Sequence, residues 1–301
     1  MIKTAKLSPG RGFRPVNAAL YYGMRLAPYA GLRRPIAAML ARYIAARERI
    51  RSREGSVGAP AGRSDPVLAS LRENGCAWLP PLLSQSQIDD VLTFLEGKKI
   101  IGGGQSFLKT EVPDDVLRAG YSLVDLLACP HVLSVMNNPG VLRLAREYLG
   151  CPPTISGIGL HWTFPSTRSA VDVQCFHRDP DDWRFLKLFI YLTDVDDESG
   201  PHEFVAGSHL TSGCILSRPY GDEQLRRRYG DQRMLKIIGP KGTAFIADTW
   251  GVHKGHMPIA RPRLLLQIQY SILPVMKFEY EPVRAPNAEQ FNRYTNRLVL
   301  A

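Results

Sequence analysis

Two histidines and one aspartate have the side-chain types and the spacing of a metal site. His177 and Asp179 are two residues apart, so on an extended chain both side chains point to the same side. His253 lies far downstream, after a second candidate strand. Two imidazoles and one carboxylate on one face of an octahedron leave three positions open, as in non-haem iron(II) sites. The pattern therefore predicts a metal site, with zinc as the alternative ion because zinc also takes three protein ligands and a water.

A basic residue opens an apolar run shortly after the second histidine. Arg263 follows His253 by ten residues, and an arginine there can bind a carboxylate through two parallel hydrogen bonds. Arg261 takes this role if the register of the strand slips by two residues. Arg263 is favoured because it directly precedes the apolar run, where an extended chain places it on one face with Leu265 and Gln267.

The elements that must position these residues change in character along the chain. Residues 67–74, 86–97, 121–128 and 139–149 read as helices, and 76–79 is a short apolar run between the first two. From residue 153, short runs with period-two alternation are separated by Gly, Pro and Asp, which indicates a sandwich or barrel. The candidate strands are 155–164, 171–177, 185–193, 203–206, 235–239, 243–247 and 263–272, with a charged helical insertion or loop at 222–233.

Composition excludes several classes of protein. The chain has 301 residues, of which 45% are hydrophobic and 22% are charged, as in a soluble protein with one or two domains. Its five cysteines are scattered, which disfavours a disulfide framework or a thiolate zinc site and indicates a cytoplasmic location. No window reaches the roughly 18 apolar residues that a membrane span requires, and the N-terminus is not a convincing secretory signal.

Several motifs in this order resemble one family of oxygenases. The motifs are His177-Arg178-Asp179, the apolar strand 189–195, the stretch from Ser199 to His209 that contains Gly-Ser-His, and His253-Lys254-Gly255 followed by Arg263. From about Gly75 to Ile272 the chain resembles the phytanoyl-CoA dioxygenase family of Fe(II)/2-oxoglutarate-dependent oxygenases. The resemblance implies an α+β fold with a mainly β core, a double-stranded β-helix or jelly roll over about 153–275, and flanking helices.

The same resemblance implies the site and the reaction. His177, Asp179 and His253 become the iron ligands, and Arg263 becomes the partner of the distal carboxylate of 2-oxoglutarate. In such enzymes 2-oxoglutarate chelates the iron, O2 takes the remaining position, and decarboxylation to succinate and CO2 accompanies hydroxylation of an unactivated C–H bond. The presence of Asp179 favours hydroxylation over halogenation, because related halogenases have a small residue at this position.

The strand after Asp179 offers further pocket residues. Lys187, Phe189 and Tyr191 share one of its faces. We expect Lys187 and Phe189 to line the pocket near the cosubstrate or an anionic substrate, with a solvated Lys187 as the alternative. His161, on an earlier candidate strand, either lines the pocket or packs in the core. The loop around Asp181 and Asp182 is a candidate cover for the substrate.

Basic residues concentrate at the N-terminus. Residues 1–65 hold thirteen of the 38 Lys and Arg but three acids, so the formal charge of +10 belongs to this part and residues 66–301 are net neutral. Residues 35–53 read as a helix with the stripe Ile36, Met39, Leu40, Tyr43 and Ile44. A shorter helix at 16–32 and a linker at 55–66 complete this N-terminal arm. We place the domain boundary in the linker, so that residues 66–301 form the predicted oxygenase domain. The arm either packs on the body, docks on an anionic membrane at its inner face, or binds nucleic acid, and the absence of a reading motif disfavours the last.

The sequence leaves three classes of function open. An oxygenase acting on a small-molecule or lipid-linked substrate is favoured, and an anionic glycolipid is one candidate because of the basic arm. A zinc hydrolase could use the same ligands but would not need Arg263. A non-catalytic jelly-roll binding protein is the third class, and the intact ligand set argues against it.

Overall fold

The computed structural model describes residues 2–27, 29–51, 65–166, 174–211 and 219–301. The predicted linker and domain boundary lie outside these ranges, except for Asp65 and Pro66 at their end. The first three residues of the candidate strand 171–177 and Cys214 also lie outside them. Among the described residues, no helix combines the length and the apolarity that crossing a membrane requires.

The helices cluster in the first half of the chain. They are α1 (Pro15–Arg25), α2 (Ala30–Arg51), α3 (Pro66–Asn74), α4 (Gln85–Leu95), α5 (Leu123–Ala128), α6 (Val132–Met136), α7 (Pro139–Leu149), α8 (Asp222–Tyr229) and α9 (Arg293–Asn296). Their ends follow local chemistry. The Asp65 carboxylate accepts hydrogen bonds from the first turn of α3, and Ser84 with Gln87 forms a capping box at the start of α4. The predicted helices of the body are confirmed, and α8 accounts for the charged insertion.

Strands dominate the second half. They are β1 (Lys3–Thr4), β2 (Cys76–Leu79), β3 (Ile100–Gly102), β4 (Gln105–Phe107), β5 (Arg118–Gly120), β6 (Thr154–Thr163), β7 (Phe185–Tyr191), β8 (His202–Val205), β9 (Met234–Ile237), β10 (Ala244–Ala247), β11 (His253–Gly255), β12 (Arg263–Ser271) and β13 (Phe278–Glu279). The strands β3, β4 and β5 were not predicted, because three residues are too few to show a period-two pattern. All pairings between these strands are antiparallel.

Two sheets face each other around the site. The large sheet has the order β2-β10-β7-β12-β6-β5-β3-β4, and the small sheet has the order β11-β8-β9. Phe189 and Phe245 of the large sheet share one buried apolar cluster with Phe204 and Ile237 of the small sheet. The hydroxyl of Tyr191 links the sheets, since it donates to the Ile237 carbonyl at 2.9 Å. The observed core is therefore a mixed fold with a mainly antiparallel β centre, as predicted.

The other face of the large sheet packs against helices. Leu186, Leu188 and Ile190 of β7 are fully buried in the main core, which includes residues of α3 to α7. Burial of each such side chain contributes about 2 kcal/mol, so this face supplies much of the stability of the fold.

The N-terminal arm is packed on the body along one side of α2. Ala37, Ala41 and Ile44 are buried in the main core, and Ala41 lies against Gly150 at the end of α7. The predicted stripe is therefore wrong in part, because Met39 and Tyr43 are 61% and 64% exposed. The small alanine side chains let the helix approach the body closely, which turns the larger side chains outward.

Candidate metal centre

A pair of backbone hydrogen bonds sets the two histidines opposite each other. The N–H of His177 donates to the His253 carbonyl and the N–H of His253 donates to the His177 carbonyl, both at 2.9 Å. The N–H of Asp179 donates to the Thr249 carbonyl, also at 2.9 Å. These contacts join the two ligand-bearing segments, so residues that are far apart in the sequence meet on one side of the fold.

The three predicted ligands converge on one point. Their candidate donor atoms all lie within 4.8 Å of one another. His177 Nε2 is 3.5 Å from Asp179 Oδ1, and His253 Nε2 is 3.3 Å from Asp179 Oδ2. A single ion placed among these atoms would have two nitrogen donors and one carboxylate on one side and space on the other, which fits iron(II) or zinc.

Hydrogen bonds to the backbone fix the orientation of both imidazoles. The Nδ1 of His177 lies 2.9 Å from the Cys175 carbonyl, and the Nδ1 of His253 lies 2.9 Å from the Gly251 carbonyl. Because a carbonyl oxygen can only accept, each neutral ring carries its proton on Nδ1 and presents the Nε2 lone pair to the centre. Both rings are thus prepared for a metal.

Arg178 supports the ligands from the opposite side of the chain. Its side chain points away from those of His177 and Asp179, and its Nη1 donates to the carbonyls of Ser208 and Trp250 at 3.0 and 2.6 Å. The Ser208 hydroxyl accepts from the N–H of Val252, next to His253, at 2.7 Å. The middle residue of the His-Arg-Asp motif and the Gly-Ser-His turn therefore hold both ligand segments in place. Sequence reasoning gave neither Arg178 nor Ser208 a role.

A buried lysine accompanies the carboxylate ligand. Lys187 Nζ lies 2.6 Å from Asp179 and 3.1 Å from Asp181, and Lys277 Nζ lies 2.5 Å from Asp181. Burial raises the pKa of Asp179, but Lys187 and the neighbouring His253 outweigh it and hold that pKa well below its usual value. Burial lowers the pKa of Lys187, and the two carboxylates outweigh this and raise it. The carboxylate is therefore ionised and ready to bind a cation.

The candidate ligands open onto a pocket of about 390 Å³. Lys187 and Phe189 line it from β7, as predicted, and the solvated alternative for Lys187 is wrong because the residue is 7% exposed. Leu265 and Gln267 line it from β12. The register pairs Leu265 with Tyr191 and Gln267 with Phe189, so alternate residues of neighbouring strands form one wall.

The structure distinguishes the two candidate arginines. Arg263 is buried at 4% exposure in the pocket wall, where Nη1 donates to the Gly200 carbonyl and Nε has no partner. Arg261 lies on the surface and pairs with Asp196 and Glu198. The strand register is therefore the one that places Arg263 beside the candidate ligands, while Arg261 is outside the pocket.

The ring of His161 occupies a space in the pocket lining that two glycines leave open. A Cβ atom at Gly120 would lie 2.7 Å from the ring of His161, and one at Gly159 would lie 2.3 Å from it. The two glycines therefore make the space that the imidazole occupies. Burial, with Arg118 nearby, lowers the pKa of His161 well below its usual value, so the ring is neutral. His161 lines the pocket, and its neighbour Trp162 packs in the core.

Arg118 was not found by sequence reasoning. It lies on β5, which is too short for a periodic signal, and it lines the pocket. The residue as a whole is exposed to solvent, but burial of its guanidinium, with Arg263 nearby, lowers its pKa to about 10. Both Arg118 and Arg263 are in register with Thr163 of β6, so they flank one residue of the intervening strand. No ion pair of Arg118 occurs within the described ranges.

Three further histidines stand apart from the ligand set. His202 starts β8 and lines the pocket, with its ring 5.4 Å from that of His253 and 4.8 Å from that of Phe189. His209 donates to the Arg72 carbonyl, and His256 lies 3.0 Å from Glu203. His202 is a buried strand residue.

The loop after Asp179 contributes no residue between 180 and 184 to the lining of the pocket. The carboxylate of Asp182 accepts hydrogen bonds from the N–H groups of Ile272 and Leu273 at 2.7 and 2.9 Å. Its carbonyl accepts from Arg33 at 2.7 Å, and the Arg33 guanidinium lies 3.7 Å above the Trp250 ring. The acidic side chains of this loop point into the fold and bind backbone and lysine groups, so a covering role for the loop stays a prediction.

Comparison with known proteins identifies the fold. EctD from S. alaskensis, in a crystal structure with bound Fe, superposes with a TM-score of 0.53 at 16% identity over 82% of this chain and 90% of that chain. The chain shares the fold of EctD. HygX from Streptomyces hygroscopicus, with nickel and 2-oxoglutarate bound, superposes with a TM-score of 0.49 at 17% identity, over 76% of this chain and 94% of that chain. SnoK, a non-heme alpha ketoglutarate dependent carbocyclase from nogalamycin biosynthesis, superposes with a TM-score of 0.47 at 19% identity, over 78% of this chain and 92% of that chain.

The sequence comparisons give no narrower assignment. Neither the protein-family models nor the curated proteins contain a match. At identities this low, structural likeness identifies the fold alone, so the resemblance to the phytanoyl-CoA dioxygenase family stays a prediction. The chemistry must be argued from the site.

Proposed function

We propose that this protein is an Fe(II)- and 2-oxoglutarate-dependent dioxygenase with a double-stranded β-helix core. One observation carries the proposal. The donor atoms of His177, Asp179 and His253 converge on a pocket that also contains Arg263, a buried guanidinium without a carboxylate partner among the described residues. A metal site alone would explain the first three residues but not the arginine.

Different side chains of the site would bind the metal and the cosubstrate. His177, Asp179 and His253 would hold the iron. Arg263 would hold the distal carboxylate of 2-oxoglutarate. Bound iron with 2-oxoglutarate and O2 would supply the oxidation of a substrate C–H bond, with release of succinate and CO2. Phe189 and Leu265 provide the apolar wall that limits water in the pocket.

Arg263 is suited to a dicarboxylate because its hydrogen-bonding capacity is not used up. Burial lowers the pKa of its guanidinium, and a buried cation without a counter-ion is costly. A bound carboxylate would supply two charge-assisted hydrogen bonds and the missing charge. Binding of a dicarboxylate at Arg263 would therefore offset the free-energy cost of burying its charge.

The pocket favours a substrate with an anionic group. Arg118 and Arg263 are separated by one strand, which puts their backbones roughly 10 Å apart and allows two anions to bind side by side. If Arg263 binds the cosubstrate, Arg118 remains for the substrate, next to the neutral His161. A small-molecule acid or an anionic glycolipid fits this description.

A zinc hydrolase is the alternative that shares these ligands. It would use the same two histidines and aspartate but would give Arg263 no task. A non-catalytic binding protein is a further alternative. Turnover that depends on O2 would distinguish an oxygenase from both the hydrolase and the binding protein.

The test is succinate formation from 2-oxoglutarate by purified protein reconstituted anaerobically with Fe(II) and then exposed to O2. We expect succinate with Fe(II) and none with zinc, with the His253→Ala variant, or without O2. Circular dichroism would verify that the variant is folded. Absence of succinate from folded, iron-loaded protein across a panel of candidate acids would contradict the proposal.

A further inference from the structure

Helices α1 and α2 present a second, outward apolar face that nothing in the described structure covers. Nine of the thirteen exposed large hydrophobic residues of the described chain lie between residues 16 and 50. Such a concentration of exposed apolar side chains in one part of a soluble protein often marks an interaction site.

The outward residues of α2 form a stripe along its whole length. At 100° per residue, positions 32, 36, 39, 43, 46 and 50 fall within roughly 80° of one another around the helix axis. Four of them are half or more exposed, namely Leu32, Met39, Tyr43 and Ile50 at 50%, 61%, 64% and 79%. The inward side carries Ala37, Ala41 and Ile44, so α2 has two separate apolar faces.

Helix α1 and the residues that follow it carry further exposed apolar side chains. Val16 and Leu20 lie one turn apart and are 69% and 44% exposed, and Leu26, just beyond the helix, is 69% exposed. Tyr22 and Tyr29 are exposed as well. We call these residues and the stripe of α2 the outward face.

Positive charge surrounds the outward face. Arg42 and Arg49 lie on one flank of the α2 stripe and Arg47 lies on the other, all with exposed side chains. Residues 2–51 contain eleven Lys or Arg and one acid. That acid, Glu48, has a side chain that is only 16% exposed and lies 3.8 Å from Arg51. The surface therefore combines apolar side chains with an almost unopposed positive field.

We propose that the outward face binds the surface of an anionic lipid bilayer. Apolar side chains flanked by arginines, with tyrosines among them, match a helix that lies in the interface between head groups and acyl chains. Anionic head groups attract each basic residue close to the surface by about 1 kcal/mol. No described helix can cross the membrane, so the binding is peripheral.

Two other occupants fit the surface less well. A second copy of the chain would bring two strongly basic surfaces together without acids to compensate them. A nucleic acid binds through cationic and polar groups that contact its phosphates, and the apolar stripe offers none of these groups. The bilayer satisfies both the apolar and the basic part of the surface.

Docking would hold the body at the membrane surface, because the arm is fixed to it. Ala37 and Ala41 are buried in the main core, and Arg33 bonds to Asp182 and stacks on Trp250, three residues before His253. The inference rests on the arm alone and is independent of the reaction that the pocket performs.

The test is co-sedimentation of the full chain with vesicles of phosphatidylcholine, either alone or with about one-third phosphatidylglycerol. We expect the chain to pellet with the anionic vesicles and much less with the neutral ones. The double variant Met39→Glu, Ile50→Glu should lower the partition coefficient by roughly tenfold or more.

The matched control is Val124→Glu, Ile259→Glu. These residues are 60% and 67% exposed on the body, so this variant changes net charge and exposed apolar area in the same way. It should bind vesicles like the parent, and unchanged melting temperatures would show that both variants are folded. Equal pelleting of the two double variants overturns the proposal.

Two further results also overturn the proposal. One is a dimer in lipid-free solution that only the stripe variant dissociates, because a second copy would then cover the face. The other is parent protein that binds a DNA fragment but not the anionic vesicles.

Discussion

The two faces of β7 are equally buried but differ in what their side chains are paired with. Leu186, Leu188 and Ile190 point toward the helices and pack in the main apolar core. Lys187 and Phe189 point toward the small sheet and line the pocket with the candidate metal ligands. Burial alone therefore does not separate the part of the sheet that stabilises the fold from the part that forms the site.

The pocket face retains polar groups without partners. Arg263 Nε and His202 Nε2 are buried without a hydrogen-bond partner in the described structure, as is Gln269 Nε2 beside Lys187 in the register. Each such group costs about 1–3 kcal/mol in a folded protein. The difference between the faces indicates that one is optimised for packing and the other is kept ready for ligands, as expected at functional sites.

The largest effect that would sharpen this comparison is expected at Arg263. The Arg263→Gln variant should raise the KM for 2-oxoglutarate by roughly a thousandfold, about 4 kcal/mol, because a buried charge-assisted pair is lost. Its melting temperature should be equal or higher, since an unpartnered buried cation is removed. The control is Arg261→Gln, which removes a surface arginine and should leave the KM unchanged. Similar KM values for the two variants would contradict the assignment of Arg263.

The opposite face should respond in stability and not in ligand binding. Leu188→Ala removes a fully buried side chain from the main core and should lower the free energy of unfolding by about 3 kcal/mol. Urea denaturation measures this loss. The KM for 2-oxoglutarate of the remaining folded protein should stay within twofold of the parent value, roughly 0.4 kcal/mol. A large change in KM would show that the two faces are not independent.

Lys187 is expected to contribute both to the stability of the fold and to the metal site. Lys187→Met should destabilise the metal-free protein by about 2 kcal/mol, because Asp179 loses its cation while Asp181 keeps Lys277. A divalent ion at the centre would replace the missing charge. Added Mn(II) should therefore raise the melting temperature of this variant more than that of the parent. Equal shifts would mean that the lysine and the metal do not share the Asp179 carboxylate.

The smallest effect is expected at Arg118, because this residue retains contact with solvent. Arg118→Gln should reduce the preference for an acid over its amide by about tenfold in substrate-stimulated succinate release. The KM for 2-oxoglutarate should not change. A variant that loses 2-oxoglutarate affinity instead would assign Arg118 to the cosubstrate.

The sequence predicted the parts of the site that depend on local geometry. The i, i+2 spacing of His177 and Asp179, and the alternation that puts Lys187 and Phe189 on one face, follow from extended backbone alone. Arg118 could not be predicted, since its three-residue strand gains its position from pairing with β6. The stripe of α2 was mispredicted in part, because helical periodicity identifies apolar positions but not which of two apolar faces meets the body.

The central claim is that His177, Asp179 and His253 bind one metal ion beside a dicarboxylate held by Arg263. The most direct measurement is a crystal structure with Mn(II) and 2-oxoglutarate, prepared without O2. The account predicts an anomalous peak between the two Nε2 atoms and the Asp179 carboxylate, with the distal carboxylate of 2-oxoglutarate on the Arg263 guanidinium. Metal bound elsewhere, or 2-oxoglutarate bound away from Arg263, would contradict it.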